Sequence, residues 1–420
     1  MTLVPNRLPP LSGNRWLIAL FTMLVLESCA PKVQQWVSHP SDAPVVNNKP
    51  VTPVAVAPVV KTPPPAPKVS VISLLLPFGL DHIGPGQSYT DISLKKARIA
   101  ADYYRGFDLA LDSLTFYGYN YKLQLFDTRD DINQAHNLAY DKKIRQSVLI
   151  VGPIFPDGMK AFSSVLTGAR KPIVSPLSPE PPATFSNQNM ITVNPPLEYH
   201  AWCAAQYIND HIKPQKIFIL RSGFSEDNDY IIPFVKAIDS LSKGRIKIIS
   251  VTIVHGQLAS IIPQLAVNKD NIFIIPSTNE QFLTITLHSL DMLTAHYPVV
   301  LFGHPSWQHF DFLKPQLLQH LNTHITSADN VDYKSPETVT FIRNYRNAWH
   351  AEPSAYAIKG FDEGLYFGRL LSTDNIKHME KTDFTGLNNS YSFKKKSGLG
   401  WVNTHVNLLV YSNFELKQAE

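Results

Sequence analysis

The sequence predicts an α/β protein of two doubly wound lobes joined by a multi-strand hinge, set behind a signal peptide and a proline-rich linker. Three observations carry this reading. From Val69 onward, apolar strand-like runs alternate with amphipathic helical runs, and the series runs through twice. About 350 residues follow the linker, enough for two globular lobes. Several apolar runs stop at Gly or Pro, as buried parallel strands do where they turn into a helix.

The N-terminus is read first. Arg7 and Arg15 precede an apolar run, Trp16–Leu26. At about eleven residues and 1.5 Å per residue, it is too short to cross a bilayer core of ~30 Å. A basic flank, a short apolar core and small residues beyond it describe a secretory signal peptide, residues 1–28. Leu26-Glu27-Ser28-Cys29 resembles the bacterial lipobox, which implies lipidation of Cys29, although Glu27 stands where that pattern prefers a small or uncharged residue. The alternative is an ordinary signal, or an uncleaved anchor, with an incidental cysteine. Residues 29–68 are rich in Pro, Val and Ala. Proline fixes φ and donates no backbone hydrogen bond, so an extended spacer reaching on the order of 100 Å is expected. Lipid chains would add ~0.8 kcal/mol per buried CH₂ to the anchor. Ala30-Pro31-Lys32 lacks the acidic residue that retains some lipoproteins at the inner membrane, so an outer-membrane site facing the periplasm is expected by family analogy.

The first lobe is expected to span 69–195 with about 306–385, and the second 196–305 with about 386–420. In the first, strand Val69–Phe78 leads to helix Ile99–Leu114, with Tyr104, Phe107, Leu111 and Leu114 on one face. Strand Tyr121–Phe126 precedes helix Ile132–Ile144, with Asp130-Asp131 as candidate N-caps. Strands Ser147–Val151, Pro172–Ser175 and Met190–Val193 follow, with helix Gly158–Leu166 after the first of these. Helix Tyr199–His211 opens the second series, with strands Lys216–Arg221, Lys247–Ile253, Asn271–Pro276 and Val299–Phe302. Helices Tyr230–Leu241, Ala259–Val267 and Glu280–His296 lie between them. After Gly303 the pattern loosens to helices Pro336–His350 and Ala355–Leu371, then a hairpin of Trp401–Val410 with Tyr411–Leu416.

Composition excludes several functions. The net charge of +4 is spread out, and Lys394-Lys395-Lys396 is a short solvated run, so no nucleic acid is expected. No Walker loop, Gly-x-Ser-x-Gly elbow or His-Glu-x-x-His motif occurs, so no enzyme and no cofactor are expected. His320 and His324 lie four apart on a possible helix and suit a metal pair, but without a third ligand a solvated face is the better reading, and no metal is expected. His304 and His309 have the same standing. With Cys29 lipidated, Cys203 is the one free thiol, set in apolar surroundings as a structural residue.

Several segments together resemble the type I periplasmic binding protein superfamily. Arg105-Gly106-Phe107-Asp108-Leu109-Ala110-Leu111 is similar to its first helix, Leu125-Phe126-Asp127-Thr128 to its second strand, and Val148–Pro153 to its third strand and turn. Pro172–Ser178 is similar to its fourth strand, and Ala357–Leu365 to a late helix with an aromatic-Asp pair. Ile275–Glu280 and Phe302-Gly303 with Trp307 and Phe310 resemble a set of Bacteroidota proteins of the amino-acid ABC-transporter substrate-binding type, some carrying LysM modules. This resemblance covers about Val69 to Leu371 and implies a ligand cleft between the lobes.

Ligands of open α/β sheets bind beyond the carboxyl ends of the strands. Asp127, Ser175, Ser178, Ser222, Ser277, Thr278 and Trp307 lie at those ends and are the candidate binding residues. Each has a structural reading as well. The serines suit turns, Ser277 and Thr278 suit the cap of the next helix, Trp307 suits packing at the hinge, and Asp127 suits a pair with Arg129. Asp362 is expected to bond across its lobe. The hydroxyls that hold an α-carboxylate in the superfamily's amino-acid receptors are replaced here by Pro156 and Asp157, and by Pro179-Glu180-Pro181-Pro182. Two functions remain open. One is a lipid-anchored binder of a small amino-acid-like or peptide-like solute, serving a transporter or sensor. The other is an envelope lipoprotein using the same fold on a protein or peptidoglycan partner, as activators of penicillin-binding proteins do. An open polar cleft favours the first; a plugged cleft favours the second.

Overall fold

The computed structural model of the chain describes residues 69–84 and 86–419. The expected signal peptide, lipidation site Cys29 and linker lie outside these residues.

The first sheet contains β1 (Val69–Leu76), β2 (Asn120–Asp127), β3 (Leu149–Val151), β4 (Ile173–Ser175) and β5 (Met190–Thr192). The second contains β6 (Lys216–Arg221), β7 (Lys247–Thr252), β8 (Asn271–Ile275), β9 (Val299–Gly303) and β10 (Thr323–Ser327). A two-residue ribbon, β11 (Phe384–Thr385) with β12 (Ser390–Tyr391), stands apart. The C-terminal strands are β13 (Phe393–Lys396), β14 (Gly400–Asn403), β15 (Asn407–Ser412) and β16 (Glu415–Gln418). Each large sheet has seven strands, ordered β13-β14-β5-β4-β3-β1-β2 and β16-β15-β10-β9-β8-β6-β7. The first five strands of each sheet are parallel and follow one topology, which is the doubly wound arrangement expected, and β14 adds a sixth parallel strand to the first sheet.

The apolar runs became strands because both faces of each sheet are covered. Ile72 and Leu74 of β1 enter one cluster with Tyr103, Phe107 and Val151, while Leu75 enters another with Ile150, Phe162 and Ile173. The second sheet divides likewise between clusters around Ile217 and Phe218. Helix Asp91–Thr115 starts earlier than expected, because Thr90 Oγ1 accepts from Ser93 N at 3.1 Å and caps it. Its buried face carries Tyr103, Phe107, Leu111 and Leu114; Tyr104, expected on that face, is only partly buried. Asp131, one of the two expected caps, accepts from Gln134 N. The helix expected over 132–144 is broken into Ile132–Leu138 and Lys142–Gln146, because Asp141 caps a second start. The helix expected over 259–267 is reduced to a 3-10 turn, Ile262–Gln264, around Pro263.

The chain crosses between the sheets after β5, after β10 and between β14 and β15, which is the multi-strand hinge. These crossings correct the expected lobe boundaries. β10, assigned to the first lobe by position, pairs in parallel with β9, so the second lobe extends through Ser327. The run Trp401–Val410, read as one strand, is two: β14 pairs with β5 of the first sheet and β15 with β10 of the second. No Gly or Pro interrupts Thr404–Val406, and only the long-range pairing tells the two strands apart. Helices Pro336–Trp349 and Ala355–Ser372 pack on the first lobe, where Phe341 and Ala357 share a cluster with Leu109.

Candidate functional site

A cavity of about 670 Å³ opens between the lobes at the carboxyl ends of the parallel strands. Pro179–Pro181 reach it from beyond β4, Asn194–Pro196 from beyond β5, His304–His309 from beyond β9, and Ala328 and Asp329 from beyond β10. Lys359 enters from helix Ala355–Ser372, and His200 from helix Leu197–Tyr207. A second cavity of about 660 Å³ shares Leu197, Asp229 and His304 with the first, and runs along the second lobe past Glu226, Ser277 and Glu280.

The floor is a set of interlobe polar contacts. Asp329 Oδ1 lies 2.9 Å from Lys359 Nζ and accepts from Asn388 Nδ2 at 2.9 Å. Burial alone would raise the Asp329 carboxyl, but the Lys359 charge and these hydrogen bonds outweigh it and hold it below the ordinary carboxylate range. Away from this cavity, within the first lobe, Asp362 is fully buried and accepts from Leu387 N at 2.8 Å, Asn388 N at 2.8 Å and Asn389 N at 3.3 Å. It therefore ties the tail to its helix, as expected, and burial pushes its carboxyl up to about 6 against those three donors.

Two imidazoles line the wall. His200 Nδ1 lies 3.1 Å from Thr326 Oγ1, and His304 Nδ1 accepts from Ser306 N at 3.1 Å. Burial lowers both to about 4, with His304 adding to the effect at His200, so both are neutral at pH 7.

Of the residues the sequence singled out, Ser277 and Thr278 line the second cavity. Helix Glu280–Leu293 is capped by neither of them: Asn279 Oδ1 accepts from Phe282 N at 2.9 Å, while Ser277 Oγ accepts from Asn279 N at 3.2 Å. The others face elsewhere. Asp127 accepts from Gly79 N, Leu80 N and Arg129 N and so fixes two loops through backbone donors, not through the Arg129 side chain. Ser222 donates its N–H and hydroxyl to Asp227 at 2.7 and 2.8 Å. Ser178 Oγ accepts from Glu180 N at 3.3 Å, and Ser175 is fully buried with no partner for its hydroxyl among the described residues. Trp307 packs into the second-lobe core beside Leu283 and Leu301, and its Nε1 donates to Ser277 O at 2.9 Å, so its ring does not face the cavity. His320 and His324 do not share a helix face. His320 ends a helix and meets Asp291, whereas His324 is on β10, stacked on Phe302 with ring centres 4.9 Å apart. Among the described residues no cluster of metal-ligating side chains occurs. Cys203 is partly buried, and burial pushes its thiol up to about 11, the character of a structural cysteine.

Sequence reasoning missed His200, Asp229, Asp329 and Lys359 as cavity residues. The strand-end rule reaches His304 and Asn194; Lys359 is on a helix and gives no such signal.

No protein-family model matches the chain, and no curated protein does. Solved structures do. A putative branched-chain amino acid ABC transporter protein from Rhodospirillum rubrum superposes with a TM-score of 0.60 at 14% identity, over 84% of this chain and 100% of that one. An ABC transporter substrate-binding protein from Desulfitobacterium hafniense, in complex with Leu, gives 0.55 at 16% identity, with the same coverage. The C-domain of LpoA from Haemophilus influenzae, a regulator of PBP1A, gives 0.55 at 12% identity, over 84% and 100% of the two chains. At these identities the likeness is one of fold: the two lobes have the type I periplasmic binding protein fold.

Proposed function

We propose that this chain is an extracytoplasmic, lipid-anchored solute-binding protein that takes a small amino-acid-like or peptide-like molecule into the interlobe cavity and presents it to a transporter or sensor. The observation that carries this reading is the cavity itself: open to solvent, large enough for a small solute, and lined with polar groups from both lobes. A fold of two lobes on a three-crossing hinge supplies the closing motion. Cys29 at the end of a signal-like segment supports the anchor.

The test is a thermal-stability screen of the full-length protein against amino acids, short peptides, nucleosides, sugars and muropeptides. A solute that binds only the native state raises the melting temperature with concentration, as RT ln(1 + [L]/Kd) requires. A flat response across the panel from a well-folded protein favours the second reading, an envelope lipoprotein acting on a protein or peptidoglycan partner. The exposed edge-to-face ring pair Phe116–Tyr117 is the surface feature that supports it.

A further inference from the structure

We infer that the solute of this cleft is a small organic cation, recognised through an ammonium or guanidinium group and not through a carboxylate. This rests on the solute-binding reading above and names the class of ligand for the same cavity.

The first support is the balance of hydrogen-bonding groups on the wall. Prolines 179, 181, 195, 196 and 305 line the cavity, and none offers a backbone N–H. The one cationic donor and two of the neutral ones are engaged: Lys359 pairs with Asp329, Asn194 Nδ2 donates to Leu177 O and Thr184 Oγ1 to Glu180 Oε2. His304 Nδ1 already takes the N–H of Ser306. Two carboxylates are less fully matched: that of Asp229 has no partner among the described residues, and that of Glu180 accepts only the Thr184 hydroxyl. Two such carboxylates on one wall are complementary to a ligand that donates.

The second support is charge. Glu180, Glu198, Asp229 and Asp329 line the first cavity and Glu226, Asp227 and Glu280 the second; Glu198 pairs with Lys396 and Asp329 with Lys359, which leaves Glu180 and Asp229 without a cationic partner in the first. The one lysine in either lining is Lys359, already paired. The two buried imidazoles are neutral and add nothing. The chain as a whole carries +4, so this acidity is local to the cleft.

Acids at helix starts have an ordinary structural use, and magnitude decides how far that accounts for them. Glu198, Asp227 and Glu280 stand in the first turns of three helices that open at the cleft. Each helix N-terminus is equivalent to about +0.5 charge, which its own carboxylate more than cancels. These helix ends, which elsewhere bind anions, are therefore already occupied, and a ligand carboxylate would meet net repulsion. Helix Asp227–Ser242 carries a second first-turn acid, Asp229, more than its dipole needs, and Asp229 and Glu180 line the same space, one from each lobe. A cation between them offsets their mutual repulsion and favours the closed state.

The test is isothermal titration calorimetry on the full-length protein. The cationic probes are agmatine, spermidine and lysinamide; the others are leucine and glutamate. At least one cationic probe is expected to bind, more weakly as salt rises from about 0.05 M to about 0.5 M. In Asp229→Asn and Glu180→Gln its Kd is expected to rise about tenfold while the melting temperature is kept. Binding of leucine or glutamate with the cationic probes silent would overturn the charge inference and leave the solute-binding reading intact. Unchanged affinity in both variants would also overturn it. No binding by any probe here or in the wider screen would remove the solute-binding reading, and this inference with it.

Discussion

Lys359 Nζ lies 2.9 Å from Asp329 Oδ1, and this ion pair joins a helix of the first lobe to the end of β10 in the second. It sits at the floor of the cleft, where the chain makes one of its crossings. Lys359→Met is expected to destabilise the protein by about 2 kcal/mol, less than for a fully enclosed pair because both side chains keep some contact with water. Adding Asp329→Asn should restore part of the loss, since no uncompensated carboxylate remains. Urea unfolding of the two single variants and the double variant measures the coupling, and additive losses would show that the pair does not act as one.

Gly360 and Gly106 let helix Ala355–Ser372 lie against helix Asp91–Thr115. A Cβ on Gly360 would stand 2.1 Å from Tyr103 O, and one on Gly106 1.8 Å from Ala357 O. Both obstacles are backbone, which cannot yield as a side-chain tip can. Gly360→Ala is expected to cost about 3 kcal/mol, although alanine has the better helix propensity. A melting temperature equal to that of the unaltered protein would refute the close approach.

Stability is expected to fall as pH drops from about 6.5 toward 4. His200 and His304 titrate near 4 in the folded state against 6.5 in the unfolded chain, so the unfolded chain takes up protons first. Their contribution is complete above 6.5 and is lost as pH falls through 4, on the order of 3 kcal/mol each. Asp362 works in the opposite sense. Its carboxyl is raised to about 6, so its contribution is complete below its unfolded value of 3.8 and is lost as pH rises through about 6. Glu363, raised by burial, acts with Asp362, whereas His324 and Asp329, both lowered, act with the two histidines, and the larger set lies on the side that is lost on acidification. Denaturation curves across that range, repeated with His304→Gln, should show a shallower fall in the variant; stability that rises on acidification would sink this account.

Trp307→Phe is expected to reduce stability by about 2 kcal/mol, through a smaller buried ring and loss of the Nε1 bond to Ser277 O. Ligand affinity should stay unchanged, because the ring faces the core. A large loss of affinity at preserved stability would instead return Trp307 to the cleft.

Much of the fold is written locally. Leu149–Val151 and Asn271–Ile275 are legible as strands because strands covered on both faces are apolar nearly throughout. The αβ alternation, repeated, then leaves few topologies open. The hinge residues are less legible: His304 and Asn194 stand at strand ends, where the rule for open sheets directs attention, but nothing in their neighbourhoods marks them as cavity residues.

What the sequence determined by itself is the order and type of the main elements and two doubly wound lobes. The tertiary structure alone decided that Gly400–Asn403 and Asn407–Ser412 belong to different sheets, since register and partner are set by strands far away in the chain. It alone brought Glu180, Asp229, Asp329 and Lys359 around one cavity. It also turned Trp307 inward and tied Ser222 to Asp227. Whether a polar side chain serves a loop or a ligand depends on which neighbour reaches it first. That is a matter of distances between distant segments, and local pattern carries no record of them.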